Sequence, residues 1–235
     1  MDTRQISLPG QAHVADGPHD QTGMYVMHHA FRRDLAAFES AVRNTPLHED
    51  ATWQALQRRW ARFGEVLHHH HGIEDVAFWP VLVRHAESAA DTDALAMLQA
   101  MEDEHEQIDP GLGAVTAGFA SMVEHPCADH RNALDVHVTA TRAALLEHLV
   151  HEESDALPFL QQVMTTEEYA ACEKAAQEGY PLKLVPFLVA WAFDGVPDDV
   201  ATRFLTEAGA AYRLALKVFR PGFVRGERRA FKYAG

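Results

Sequence analysis

The chain has 235 residues, enough to bury one large core or a core with an appendage. Its formal net charge is −14 with 16 histidines uncounted, which argues against a nucleic-acid partner, because phosphate binding needs basic surface to displace counterions. The two cysteines, Cys127 and Cys172, form no metal-spaced or redox motif, and the longest apolar run, Leu184 to Phe193, is too short for a bilayer; a cytoplasmic protein with no membrane segment is expected.

Residues 1–19 contain no apolar signal region and read as disordered. From there, apolar residues recur every three or four positions, the period of a helix packed on one face, and nothing reads as a strand. The first segment, 20–44, carries Met24, His28, Phe31, Leu35, Phe38 and Val42 on its seam. The second, 49–87, carries Trp60, Phe63, Leu67, His70, Glu74 and Val81. The third, 92–124, carries Leu98, Met101, His105, Ile108, Leu112 and Val115, and the fourth, 129–163, carries Val138, Thr141, Leu145, His148, Glu152 and Phe159. Four seams joined by short loops predict an all-α, antiparallel four-helix bundle over 20–163. Pro80, Pro110 and Pro158 are expected to kink or interrupt their helices. A capping box, Thr165 to Glu168, opens a C-terminal helical extension over 164–219. That extension is expected to cap the bundle or to make a homodimer contact. The basic tail, 220–235, has five basic residues against Glu227 and is expected to fold onto the acidic body.

Six seam residues do not belong in an apolar core: His28, His70, Glu74, His105, His148 and Glu152. Buried without partners, each would cost several kcal/mol, and a metal centre compensates all of them together. Both carboxylates follow a histidine at i+4, one turn away on the same face, and both segments fit H-x3-E-x5-P, from His70 to Pro80 and from His148 to Pro158. The copies are offset by 78 residues and the lone histidines, His28 and His105, by 77, so two half-sites form an approximate repeat. Counted from the loops, all six can reach one level of the bundle. Imidazoles and carboxylates without thiolate suit iron or manganese better than structural zinc. His68, His69 and His71 lie off this seam and read as solvated or orienting residues. Asp75 and Glu153 read as its polar shoulder, with hydrogen bonding to a ligand histidine the alternative. A ferritin-like site of Glu-x-x-His pairs, Glu65/His68 and Glu102/His105, is disfavoured because Glu65, His68 and Glu102 are off the seams.

The segments HHAFRRDL (28–35), HHGIEDVAFWP (70–80), DEHEQI (103–108) and EHLVHEESDALP (147–158) resemble the hemerythrin-like family of HHE cation-binding domains. The resemblance covers residues 20–163 and implies a non-haem di-iron centre, with manganese or zinc as possible substitutes. It makes Glu74 and Glu152 bridging carboxylates, gives His28 and His70 to one iron, and gives His105 and His148 to the other. One departure stands out: oxygen carriers have a second histidine one turn after the third-helix ligand, where this chain has Asp109. Asp109, Glu106 or Tyr25 is a candidate to fill the open position. The resemblance implies a small ligand, O2, nitric oxide or peroxide, in oxidative or nitrosative stress or in oxygen or iron sensing. A di-iron peroxidase or catalase-like enzyme, and an interaction protein responsive to metal or redox state, are the alternatives.

Overall fold

The computed structural model describes residues 5–207 and 209–235. Helix α1 (Thr22–Asn44) is followed by α2 (Asp50–Ile73), which runs through a π-helical turn, π1 (Glu74–Phe78), into α3 (Trp79–Ala89). Helix α4 (Thr92–Glu124) returns, and α5 (Ala128–His151) passes through a second such turn, π2 (Glu152–Ala156), into α6 (Leu157–Val163). Each of α1 and α4 packs on both α2 and α5, closing a ring of four. The short connections make sequence neighbours antiparallel. Asp91 caps α4 by accepting the Ala94 N–H at 3.0 Å, which satisfies one of the free donors of the first turn.

The three prolines act differently from expectation. Pro80 and Pro158 each stand at the second residue of the helix after a π turn. There the Trp79 N–H reaches back to the Glu74 carbonyl and the Leu157 N–H to that of Glu152. The chain absorbs each proline by widening one turn instead of breaking, and each widened turn begins at a seam glutamate. Pro110 lies inside an uninterrupted α4 on its exposed face, where water can take up the carbonyl freed one turn back.

Apolar residues form two clusters. One holds Phe31, Phe38, Trp60, Phe63, Leu67 and Leu145; the other holds Phe78, Trp79, Leu82, Met101, Leu160 and Met164. The buried histidines and glutamates of the seams form a polar layer between them.

Two terminal expectations need correction. Residues 1–4 of the segment expected to be disordered lie outside the described residues, but 5–19 pack on the bundle with Ile6, Leu8 and Ala15 buried. Backbone donors hold this strap: Ala12 N–H to Glu153 at 2.7 Å, Ala15 N–H to the Tyr25 hydroxyl at 2.8 Å and His19 N–H to Gln161 at 3.0 Å. Gly17 crosses Gln161 so closely that a Cβ would stand 2.3 Å from its side-chain oxygen. Sequence periodicity misses such a segment because its partners are side chains distant in the chain.

After the bundle, the capping box forms and opens α7 (Thr166–Gly179), followed by α8 (Val185–Trp191), α9 (Asp198–Glu207) and α10 (Gly209–Ala230). Helix α7 packs on α2 and π1, and α10 packs on α2 and α8. The tail from Arg220 is no separate element up to Ala230, since α10 runs through Pro221, which is exposed like Pro110. It does fold onto the body. Glu227 takes Arg59 at 2.6 Å, Lys232 meets Glu49 at 3.1 Å, and Phe223 and Ala230 are buried. Arg59 also pairs with Asp34, which accepts the Trp191 indole N–H at 2.7 Å.

Candidate metal centre

All six seam residues converge in the polar layer, each no more than 6 % exposed. Glu74 directs one carboxylate oxygen at His70 Nε2, 3.0 Å away, and the other at His105 Nε2, 3.7 Å away. Glu152 places a single oxygen 3.2 Å from His28 Nε2 and 3.7 Å from His148 Nε2. Each carboxylate therefore stands between one imidazole from α1–α2 and one from α4–α5.

A seventh residue joins them. His71, read from the sequence as off the seam, is 5 % exposed. It stacks on His105 with ring centroids 4.0 Å apart and meets His148 at 5.3 Å. The donor atoms fall into two sets, His28, His70, Glu74 and Glu152 in one and His71, His105 and His148 in the other, with the atoms of each set within 4.8 Å of one another. The signal for His71 was present: from Leu67 the seam steps to Glu74 through His70 or, with the steps reversed, through His71. The preference for a single stripe hid a helix that buries adjacent pairs, as it also does at Val66 and Leu67.

Asp109 and Glu106 are exposed and belong to neither set. Tyr25 is buried, but its hydroxyl accepts the Ala15 N–H and donates to Gln21 at 3.0 Å, so it holds the strap instead of the site. Burial, with Glu153 and Glu152 nearby, pushes that phenol up to about 12. A fifth inward imidazole, His71, thus comes from α2 and groups with His105 and His148. Of the ferritin-like alternative, His68 and Glu102 are exposed.

Carboxylates orient three of the rings from behind. Glu153 lies 2.9 Å from His28 Nδ1, Asp75 lies 2.8 Å from His105 Nδ1, and Glu104 lies 2.9 Å from His148 Nδ1. A carboxylate at Nδ1 holds the proton there and turns the Nε2 lone pair inward, the usual arrangement behind metal-bound histidines. Glu153 is itself held by Arg32 through two bonds, of 2.7 and 2.9 Å. Asp75 and Glu153 each follow a seam glutamate and serve the lone histidine of the opposite half, so the carboxylate pairs repeat as the ligands do.

The front of the site is unsatisfied. Buried His28 Nε2, His70 Nε2, His71 Nε2 and all four oxygens of Glu74 and Glu152 have no hydrogen-bond partner among the described residues. Native structures leave only a few such atoms per 100 residues, and here seven lie together. The electrostatics agree: burial, reinforced by Glu152, holds the Glu74 carboxyl well above its usual range. Burial also depresses His70 and His71, with neighbouring imidazoles adding to the effect. Against the cost of burial, Glu152 and Glu153 push His28 up to about 9. Seven inward-facing nitrogen and oxygen atoms left without a hydrogen bond among the described residues fit bound cations, and the absence of thiolate fits a harder metal.

Residues 20–160 match the family described as Hemerythrin HHE cation binding domain. No curated protein and no solved structure gives a match to the chain. No helix among the described residues is long and apolar enough to cross a membrane.

Proposed function

The chain belongs to the hemerythrin HHE cation-binding family, and we propose that it holds two irons in a His5Glu2 centre that binds O2, nitric oxide or peroxide. His28, His70, Glu74 and Glu152 would hold one iron and His71, His105 and His148 the other, with the two glutamates lying between the halves. The observation that carries this reading is the position of the two glutamates, each within 3.7 Å of an imidazole from both halves and each without a hydrogen-bond partner. Iron would supply Lewis acidity and one-electron redox capacity. The protein's own share is orientation and dryness. Glu153, Asp75 and Glu104 fix three rings, while Phe31, 5.2 Å from the His70 ring, belongs to a buried apolar cluster with Leu67, Leu145 and Leu149.

His71 bears on the choice between binding and turnover. A four-imidazole site leaves an extra position open and favours peroxide chemistry, whereas a fifth imidazole fills it and favours reversible binding of a small ligand in a sensing or stress-response role. The test is metal content by mass spectrometry on untagged protein, followed by titration of the reduced protein with O2 and nitric oxide. About two irons per chain and saturable spectral changes are expected. One zinc, or no metal, would overturn the di-iron reading. Sustained oxygen evolution from peroxide would replace binding with a catalase-like activity.

A further inference from the structure

A chamber of about 510 Å³ adjoins the site and is lined in part by His70 and Glu74. Its walls are mainly apolar: Met24 and Met27 from α1, Ile73 and Phe78 from α2 and π1, and Tyr180 and Phe193 from beyond the bundle. O2, nitric oxide and peroxide are near water in size, and a water takes up roughly 30 Å³. A space of this size falls instead among sites for organic molecules, roughly 300–1,000 Å³. Apart from Glu74, which faces the candidate metal centre, its charged lining is acidic, Asp20 and Glu173, and includes no lysine or arginine. An anion would meet like charge there. Burial holds the Glu173 carboxyl above the usual range, and a ligand bringing positive charge would offset part of that burial cost.

We propose that this chamber binds an apolar organic molecule with an uncharged or cationic polar end, and that the C-terminal extension closes the binding site over the bundle. The bundle alone supplies one wall. Helix α7 contributes Tyr169, Glu173 and Ala176, and the segments after it contribute Tyr180, Ala192, Phe193 and Phe204. The inference goes beyond the di-iron reading: the ligand's polar end sits at Asp20 and Glu173, the acidic groups of the chamber outside the candidate metal centre, and binding rests on the chamber.

The experiment is calorimetric titration of the full-length, metal-loaded chain with 4-phenylbutylamine, 4-phenylbutanol and 4-phenylbutyrate, with metal content measured on the same sample. The amine and the alcohol are expected to bind at least ten-fold more tightly than the carboxylate. Gly23→Phe places a ring at the chamber from a position where a Cβ meets nothing within 4 Å. Folding is therefore spared, and this variant should weaken the amine at least ten-fold with metal content unchanged. Ala176→Phe, from the opposite wall, should do the same. No binding of any probe, preference for the carboxylate, or unchanged affinity in both variants would overturn the proposal. If the chain holds two irons and ignores all three probes, the chamber proposal fails alone. If it holds no metal yet binds the amine and loses it in Gly23→Phe, the chamber stands and the di-iron reading falls.

Discussion

In the half of the site built by α1 and α2, Met27 precedes His28 and His71 follows His70; in the half built by α4 and α5, Glu104 precedes His105 and Leu149 follows His148. These correspond through the repeat, so the differences show where duplicated halves have taken on separate tasks. Glu104 orients His148, while Met27 offers no carboxylate to His70 and lines the apolar chamber instead. His71 is buried against His105 and His148, whereas Leu149 is plain core. The orienting carboxylates differ too. Glu153 is fully buried and locked by Arg32, while the Asp75 side chain is 32 % exposed. His28 is held by a buried, arginine-locked carboxylate, and His105 is supported from the solvent edge.

The largest expected effect comes from the residues both halves share. Glu74→Ala or Glu152→Ala should lose the dinuclear centre while keeping most helix content, because the apolar clusters on either side still pack; metal analysis and circular dichroism check this, and parental metal content in both variants would refute the bridging role. Next is His71→Leu, which writes the α5 residue into α2. It should fold, and affinity for the second metal should fall by at least the roughly 10–100-fold that losing even an orienting partner costs. Retention of both metals at the parental affinity would return His71 to the role of packing residue.

Glu153→Gln and Asp75→Asn test the difference in support. Removing the buried charge leaves Arg32 and His28 facing a neutral amide and should destabilise the metal-free chain by about 3 kcal/mol. The half-exposed Asp75 should cost under about 1 kcal/mol, and equal losses in denaturant melts would erase the contrast.

A smaller effect is expected from pH. In the metal-free chain His28 is raised to about 9, above the roughly 6.5 of an unfolded histidine. Its stabilisation is therefore complete below about 6.5 and lost as pH climbs through about 9. Glu153 is held below its usual range, chiefly by His28 and Arg32 working against burial, so its share is present above about 4.3 and lost in acid. Metal loading reverses the His28 trend, because a ligating imidazole must give up its proton. Loading at pH 8 should release at least one proton per chain, read with an indicator dye, and acid should strip the metal. Release of none would mean that His28 is not a ligand. The smallest effect belongs to Asp109→Asn, exposed and outside both donor sets. Metal content should not change, and stability should stay within about 0.5 kcal/mol.

The helical bundle and its six buried seam residues were legible in the chain because a buried stripe at a 3.6-residue period needs only local sequence, and because polar residues on such a stripe are conspicuous. The H-x3-E-x5-P repeat even marked where each helix widens, though it suggested kinks where the structure has π turns. Four features were decided by tertiary contacts. They are the inward turn of His71, the carboxylates behind three rings, the strap of residues 5–19 and the chamber under the extension. Each depends on which surfaces meet across 30 to more than 140 positions, as between Asp75 and His105 or between Ala12 and Glu153. Periodicity states which side of a helix is buried, and only the packed bundle states what that side faces.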